Sequence, residues 1–114
     1  MRYYTWIMLL FLFTSCARHQ AVESNQRGMD YITRELPRKA LEEFNHAISL
    51  DPDFFSAYYN RAIVRANLKQ NEEALKDMNY VIANIPDYAL AYYNRGIIYE
   101  NLGHPTQAIQ DYSH

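Results

Sequence analysis

Cysteine and glycine are scarce in this sequence, and long hydrophobic runs are missing from it. Cys16 is the single cysteine, so no disulfide can form within the chain. Only three glycines occur, and none of them belongs to a glycine-rich phosphate-binding loop. The four histidines show no metal-ligand spacing, and no nucleophile motif is present. These absences argue against an enzyme and against a metal or cofactor site.

The charge of the chain is nearly balanced. Eleven Lys and Arg residues stand against thirteen Asp and Glu residues, which gives a formal net charge of -2. Because no strong field of either sign results, nucleic acid is not an expected partner. Aromatic residues make up 15% of the chain, and 11 of them are tyrosines. Tyrosine both fills helix–helix contacts and serves protein recognition, so its abundance is compatible with either role.

The first 16 residues have the order of regions that is typical of a secretory signal. Arg2 precedes an eight-residue apolar run at 6–13, and the small polar residues Thr14 and Ser15 then lead to Cys16. The run is too short to span a bilayer, which takes about 20 residues. The pattern therefore predicts an export signal rather than a membrane-spanning helix.

The tetrapeptide Phe-Thr-Ser-Cys at 13–16 resembles the lipobox of bacterial lipoproteins, although leucine is more usual where Phe13 stands. The resemblance implies that residues 1–15 are a signal peptide, that Cys16 is lipidated, and that residues 16–20 hold the lipidated cysteine and a tether. It also implies a lipid anchor to a membrane of the bacterial cell envelope, inner or outer. A simple secretory signal with an incidental cysteine and an uncleaved anchor are the alternatives.

A second pattern is an internal repeat. The segment AYYNRAI at 57–63 returns 34 residues later as AYYNRGI at 91–97, and Pro52 and Pro86 keep the same spacing. Three alanines share this period: Ala40, Ala74 and Ala108. A fixed period of this length indicates a repeat array rather than a domain with one central core.

The period and its residue pattern resemble the tetratricopeptide repeat. The small residue of repeat position 8 is Gly28, Ala62 and Gly96, and the large residue of position 24 is Phe44, Met78 and Tyr112. Ser24 and Arg65 depart from the pattern, because the family usually has aromatic residues there. The resemblance implies an all-α fold, an α-solenoid of antiparallel helix pairs. About two and three-quarter repeats would fill residues 21–114, as 21–54, 55–88 and 89–114.

Each repeat should contain two helices, called A and B. The A helices are expected at 21–34, 55–68 and 89–102, and the B helices at 37–50, 71–84 and from 105 onward. Pro37 and Pro105 fall in the first turn of a B helix, where the missing N–H costs nothing. Gly103 follows an A helix, where a left-handed residue can close it.

Opposite charges also recur with the period. A base occurs on each A helix and an acid on each B helix: Arg27, Arg61 and Arg95, and Glu43, Asp77 and Asp111. This recurrence predicts a ladder of ion pairs, within a repeat or between neighbours. Its expected role is to fix the stacking of the helices, since exposed pairs add only about 0–1 kcal/mol each.

In the tetratricopeptide family the A helices line a concave groove that binds proteins and peptides. The resemblance places eight residues of this chain in that groove: Asn25, Met29, Tyr59, Ile63, Tyr93, Ile97, Glu100 and Asn101. A carboxylate clamp is not expected, because no repeat has Lys at position 5 or Asn at position 9. As an alternative, Met29, Ile63 and Ile97 pack against neighbouring helices and bind no partner.

The sequence thus predicts a lipid-anchored scaffold for protein–protein interaction, which holds a peptide or protein segment in its groove. The chain ends inside the third predicted hairpin, which leaves Tyr99, Ile109 and Tyr112 partly exposed. Three explanations are open: a piece of a longer array, end-to-end self-association, and a partner that covers this end. The second makes a structural self-assembly module the alternative function.

Overall fold

The computed structural model describes residues 2–114, and all regular secondary structure in this range is helical. Six helices follow one another: α1 Arg2–Thr33, α2 Pro37–Leu50, α3 Phe55–Asn67, α4 Asn71–Asn84, α5 Ala89–Asn101 and α6 Pro105–Tyr112. Met1 and the side chain of Arg2, which belong to the predicted signal segment, lie outside the described part. The predicted all-α class is confirmed.

The helices pack as three hairpins, α1 with α2, α3 with α4, and α5 with α6. Each hairpin stacks on the next through a B helix against the following A helix, α2 on α3 and α4 on α5. The result is an elongated stack with extents of 60 × 31 × 18 Å. This is the predicted α-solenoid, because within residues 2–114 each hairpin packs only against its neighbours.

Helix α1 begins far earlier than predicted. The sequence placed the first A helix at 21–34 behind a tether at 16–20, but the helix is continuous from Arg2 to Thr33. The predicted tether is therefore helical. The physical reason is that residues 2–20 contain neither Pro nor Gly, so nothing in this segment interrupts a helix. Its large apolar side chains, such as Trp6 and Phe13, remain exposed.

The extension of α1 does not change the assignment of membrane-spanning segments. None of the helices in the described range 2–114 is both long and apolar enough to cross a bilayer.

Within each hairpin, a small residue on helix A faces a large one on helix B. A Cβ atom on Gly28 would lie 2.4 Å from the Phe44 ring, and one on Gly96 would lie 2.5 Å from the Tyr112 ring. In the middle hairpin Ala62 and Met78 occupy these positions, and both are fully buried. The helices therefore approach so closely that the ring of an aromatic residue requires glycine opposite it.

The turns within all three hairpins share one backbone feature. The second residue after each A helix has a positive φ angle: 58° at Glu35, 66° at Lys69 and 78° at Gly103. Glycine adopts this left-handed conformation readily, whereas other residues are strained in it. The sequence revealed only Gly103 as such a residue, since Glu35 and Lys69 give no local signal for it.

Candidate functional site

The A helices form the inner side of the stack. Helices α1 and α3 contact each other, and so do α3 and α5, whereas α2, α4 and α6 form no such contacts among residues 2–114. In a curved stack the elements on the inner side come closest to one another. The inner surface of α1, α3 and α5, called the groove below, is therefore the candidate site.

The ion-pair ladder fixes the position of each A helix. Arg61 donates to both carboxylate oxygens of Asp77, at 2.9 Å from Nε and 2.7 Å from Nη2. Arg95 binds Asp111 in the same bidentate way, at 2.7 Å for both bonds. Arg27 Nε lies 3.1 Å from Glu43 Oε2. The predicted ladder is confirmed, and its charged pairs lie within single hairpins.

The same arginines also reach back to the preceding hairpin. Arg61 Nη1 donates to Asn45 Oδ1 at 2.9 Å, and Arg95 Nη1 donates to Asn79 Oδ1 at 3.1 Å. Each of these arginines thus connects two hairpins. The sequence analysis missed the two asparagines, although their spacing of 34 carries the repeat period.

A tyrosine beside each of these arginines adds a second connection between hairpins. Tyr58 donates its hydroxyl to the carbonyl oxygen of Pro52 at 3.0 Å, and Tyr92 donates to that of Pro86 at 2.8 Å. The Arg95 guanidinium lies 5.3 Å from the centre of the Tyr92 ring, a cation–π distance. These bonds hold the A helices in a fixed order along the groove.

The ladder also engages the basic residues of two of the three groove helices in ion pairs. The basic residues of α3 and α5 are Arg61, Arg65 and Arg95. Arg65 shares Asp77 with Arg61, at 2.8 Å from Nη1 to Oδ2. The hydrogen bonds that Arg95 donates to Asp111 raise the pKa of Arg95 against the lowering effect of burial, so the guanidinium stays charged. Every base on these two helices therefore forms an ion pair with an acid of α4 or α6, and Arg61 and Arg65 share one carboxylate.

The predicted groove residues divide by exposure. Tyr93 is 55% exposed, and Met29 is also exposed. Glu100 and Asn101 are exposed, whereas Tyr59, Ile63 and Ile97 are half-buried. Most of the predicted residues are thus accessible to a partner on the inner side.

Asn25 differs from the prediction. It is only 5% exposed, and its Oδ1 accepts a hydrogen bond of 3.1 Å from Nδ2 of Asn60 on the next A helix. As a contact residue for a partner, Asn25 was wrongly assigned. The reason is that α3 packs over this position, so the amide joins two helices and does not face the groove.

Tyr59 combines a structural bond with partial access. Its hydroxyl accepts a hydrogen bond of 2.8 Å from Asn94 Nδ2, and its ring lies 5.1 Å from that of Tyr88. Burial, followed by the neighbouring Tyr88, raises the pKa of Tyr59. Tyr59 therefore connects α3 to α5 and presents only part of its ring to the groove.

Ile63 and Ile97 lie on opposite walls of a small cavity between α3 and α5. The cavity has a volume of about 80 Å³, and Asn67 and Asn94 contribute polar groups to it. Each isoleucine therefore packs partly against the neighbouring helix, as the alternative interpretation holds, and partly borders open space. The two side chains therefore lie at the boundary between the apolar core and the groove.

Cys16 is an exposed, free thiol on the extended part of α1. Its Sγ lies 3.9 Å from Nε2 of Gln20, one helical turn further on. The described side chains thus leave the thiol accessible. Its lipidation stays a prediction.

The last hairpin exposes apolar side chains that are covered in the others. Ile109 is 66% exposed, while Leu75 and Leu41, which precede it by one and two periods, pack against core clusters. Tyr112 is also exposed, whereas its counterparts Phe44 and Met78 are fully buried. The outer face of α5 and α6, called the terminal face below, is therefore apolar and accessible.

With this geometry described, the comparisons with known proteins identify the class. A sequence model of the tetratricopeptide repeat matches residues 43–76 and 78–110, which is more than half of the chain. The chain belongs to the tetratricopeptide repeat family. Among curated proteins no match was found.

Solved structures with this fold support the assignment. The second tetratricopeptide domain of Spaghetti (RPAP3), bound to the HSP90 peptide SRMEEVD, is 27% identical with a TM-score of 0.80. That match covers 84% of this chain and 89% of the other. MamA is also 27% identical, with a TM-score of 0.77 over 82% of this chain, which spans about half of MamA (54%). The Arabidopsis OM64 domain is similar in fold, with a TM-score of 0.83, 22% identity, and 86% and 81% of the two chains covered.

Proposed function

We propose that this protein binds a segment of a partner protein in the groove of α1, α3 and α5. The observation that carries the proposal is the set of accessible apolar side chains at the predicted groove positions of these helices, among them Tyr93 at 55% and Met29 at 43% exposure. Large aromatic side chains supply much contact area at a low cost in conformational entropy, which suits them to recognition. The chain therefore acts as an interaction module and not as a catalyst.

The relative with a bound ligand supports the same mode of action. The second domain of Spaghetti (RPAP3) holds a short HSP90 peptide, and it shares this fold over most of both chains. The ligand of the present protein should differ in charge, because the basic residues of α3 and α5 are all paired with acids. On these two helices an acidic peptide would meet only arginines that already form ion pairs.

Photo-crosslinking tests the groove directly. A photoreactive phenylalanine analogue in place of Tyr93, in the full chain in cells, should form a covalent adduct with a partner protein. The same analogue in place of Tyr80 is the matched control, because Tyr80 is a partly exposed tyrosine on α4, away from the groove. An adduct at both positions, or at Tyr80 alone, would exclude the groove as the binding surface.

We further propose that Cys16 carries a lipid and that the protein is held at a membrane of the bacterial cell envelope. The supporting observations are the lipobox-like sequence 13–16 and the exposure of the thiol. Several acyl chains on one molecule would make such an anchor stable, since one chain alone gives only marginal binding. The expected partner is thus a protein at the same membrane.

The anchor is tested by growth with a labelled fatty acid. The wild-type chain should incorporate the label and sediment with membranes, and Cys16→Ser should do neither. Incorporation that persists in Cys16→Ser would refute lipidation at this residue. A labelled chain that is not sedimented would refute the anchoring.

Self-association through the terminal face is the second candidate function. It is favoured by the exposure of Ile109 and Tyr112 at positions that are covered in the other two hairpins. Two such faces could bury their apolar area against each other. The Ile109→Glu variant should then reduce the molar mass measured by light scattering, while Met29→Ala, in the groove on α1, leaves it unchanged. A single molar mass for all three proteins would leave groove binding as the remaining function.

A further inference from the structure

A cavity of about 350 Å³ lies at the corner where α1 ends, α2 begins and α3 passes beside them. Its lining is Ile32, Glu35, Pro37, Val64 and Asn67. Asn67 also lines the small cavity between Ile63 and Ile97, so the two cavities are neighbours at this residue of α3. Three of its five lining side chains are apolar, and one carries a negative charge.

The carboxylate in this cavity is available for a ligand. Within residues 2–114, Glu35 forms no ion pair and no side-chain hydrogen bond. Of the bases nearest to it in sequence, Arg34 binds Asp30 at 3.6 Å and Lys39 lies 5.8 Å from the centre of the Tyr31 ring, whereas Arg38 is exposed and forms no ion pair within residues 2–114. The cavity thus combines apolar walls with an unpaired negative charge.

The equivalent corner between the second and third hairpins is built differently. Lys69 replaces Glu35 there, and Asn71 replaces Pro37. Asn101 Nδ2 donates to Asn71 Oδ1 at 3.3 Å, so a hydrogen bond joins α5 to α4 at this corner. In the first corner Pro37 has no side-chain amide, and Asn67 is left without that partner. Two substitutions between the repeats therefore account for the charge of this cavity and for the missing hydrogen bond.

We propose that this cavity receives a lysine or arginine side chain of the segment that occupies the groove. The inference rests on the proposed groove function and specifies its ligand. The methylene stem of such a side chain would pack against Ile32, Pro37 and Val64, and its charged end would reach Glu35. Asn67 adds an amide oxygen that can accept from the same cation.

Charge complementarity favours a cation over the alternatives. The groove side has exposed acids at Glu35 and Glu100, while each base of α3 and α5 already forms an ion pair. An acidic segment would be repelled by these two carboxylates, and a purely apolar one would leave Glu35 unused. Complementary charge at a partly exposed site contributes more to specificity than to affinity. The cation should therefore select the partner and contribute modestly to binding strength.

Peptide selection tests this inference. A random dodecapeptide display library is panned against the full chain in a non-ionic detergent, and against Glu35→Gln, Lys69→Gln and Tyr93→Ala variants. The wild type should enrich peptides with Lys or Arg over those with Asp or Glu. That preference should persist in Lys69→Gln, the matched control, and disappear in Glu35→Gln. Peptides selected on the wild type should bind Glu35→Gln about three- to fivefold more weakly by fluorescence anisotropy.

The outcomes separate this inference from the groove proposal. A basic preference that persists in Glu35→Gln, or none in the wild type, overturns the cation site, while loss of binding in Tyr93→Ala still supports the groove. Peptides that bind Tyr93→Ala as well as the wild type, or a library from which nothing is retained, count against both.

A second variant excludes loss of folding as the explanation. Glu35→Gly removes the carboxylate and also the strain of a positive φ angle, so it should raise the unfolding midpoint while weakening the selected basic peptides three- to fivefold, roughly as Glu35→Gln does. Lys69→Gly should raise the midpoint equally and leave peptide affinity unchanged. Equal affinities for both glycine variants would overturn the assignment of Glu35.

Discussion

The first and second hairpins have the same backbone plan but stabilise it differently. In the first, Arg27 is 53% exposed beside Glu43, whereas in the second Arg61 is 15% exposed beside Asp77, which itself is 6% exposed. The difference arises because α3 packs against the B helix of a preceding hairpin, whereas no hairpin of the described part precedes α1; Arg95, on a helix that also follows a hairpin, is likewise only 19% exposed. One position in the repeat therefore carries a surface ion pair in one copy and a buried charge cluster in the next.

The close crossing of helices A and B shows a second contrast. The first hairpin pairs Gly28 with the Phe44 ring, and the second pairs Ala62 with Met78. Methionine is flexible and adapts to a nearby methyl group, whereas an aromatic ring is rigid. The two positions are thus coupled, and each hairpin holds a matched combination rather than a fixed residue. The following predictions test this comparison in order of expected effect.

The largest effect is expected from Asp77→Asn. This variant leaves Arg61 and Arg65 without their shared countercharge in a largely buried site, and it should lower the free energy of unfolding by about 3 kcal/mol. The corresponding change in the first hairpin, Glu43→Gln, should cost less than about 1 kcal/mol because that pair is exposed. Urea unfolding followed by circular dichroism measures both. Similar losses in the two variants would contradict the contrast in burial.

Gly28→Ala should have the next largest effect. Its new Cβ would lie 2.4 Å from the Phe44 ring, so the helices must separate, at a cost of about 2 kcal/mol. Adding Phe44→Met recreates the combination of the second hairpin and should recover most of the loss. The coupling energy comes from urea unfolding of the two single variants and the double variant. Additive losses would show that the two positions are independent.

The turn residues should respond in the opposite direction. Glu35→Gly and Lys69→Gly place glycine where φ is 58° and 66°, and each should raise the free energy of unfolding by about 0.5–1 kcal/mol. The reverse change in the third hairpin, Gly103→Ala, should lower it by about 1 kcal/mol. Thermal unfolding midpoints provide the comparison. A loss in either glycine variant would mean that the left-handed turn carries no strain.

The smallest effect concerns alkaline pH. Burial raises the pKa of Tyr58 and of Tyr59 above the ordinary value of 10.0, so the folded state holds both protons more tightly than the unfolded state does. Their contribution is therefore fully present below pH 10.0 and is lost as the pH rises through the raised pKa values.

The first hairpin provides the control for this pH dependence, because it has Ser24 and Asn25 at the same positions. The double variant Tyr58→Phe with Tyr59→Phe should flatten the alkaline fall of the urea midpoint. Tyr112, whose pKa is raised by burial and by Glu100, should account for part of what remains. An unchanged fall in the double variant would assign the effect to other groups.

The sequence was sufficient to predict the features that recur with the 34-residue period, namely the helix bounds and the ion-pair ladder. Helices α2 and α4 have the predicted bounds, α3 and α5 each end one residue early, and α6 begins where Pro105 placed it. The ion-pair ladder followed from charges that recur with the same period. Such features are predictable because they depend on residue type and spacing, which every repeat shows again.

The features that the sequence did not predict depend on the tertiary contacts of residues in one particular repeat. Asn25 was assigned to the groove by its repeat position, but α3 buries it through the bond to Asn60. The left-handed conformations of Glu35 and Lys69 follow from the geometry of the turn and leave no local trace in residue type. The corner cavity arises because Glu35 and Pro37 occur together only in the first repeat. A feature that occurs in one repeat cannot be predicted from the 34-residue period.

The double role of the ladder arginines has a consequence for how such a chain can change length. Arg95 donates hydrogen bonds to Asp111 in its own hairpin and to Asn79 in the preceding hairpin. A second copy of residues 55–88, inserted after the first, would bring its own equivalents of Arg61 and Asn79. Its arginine would bind Asn79 of the preceding copy, and its asparagine would accept from Arg95 of the following hairpin. An insertion of any other length would separate the arginine donors from their asparagine acceptors at two junctions. Duplication and loss of whole 34-residue repeats are therefore favoured.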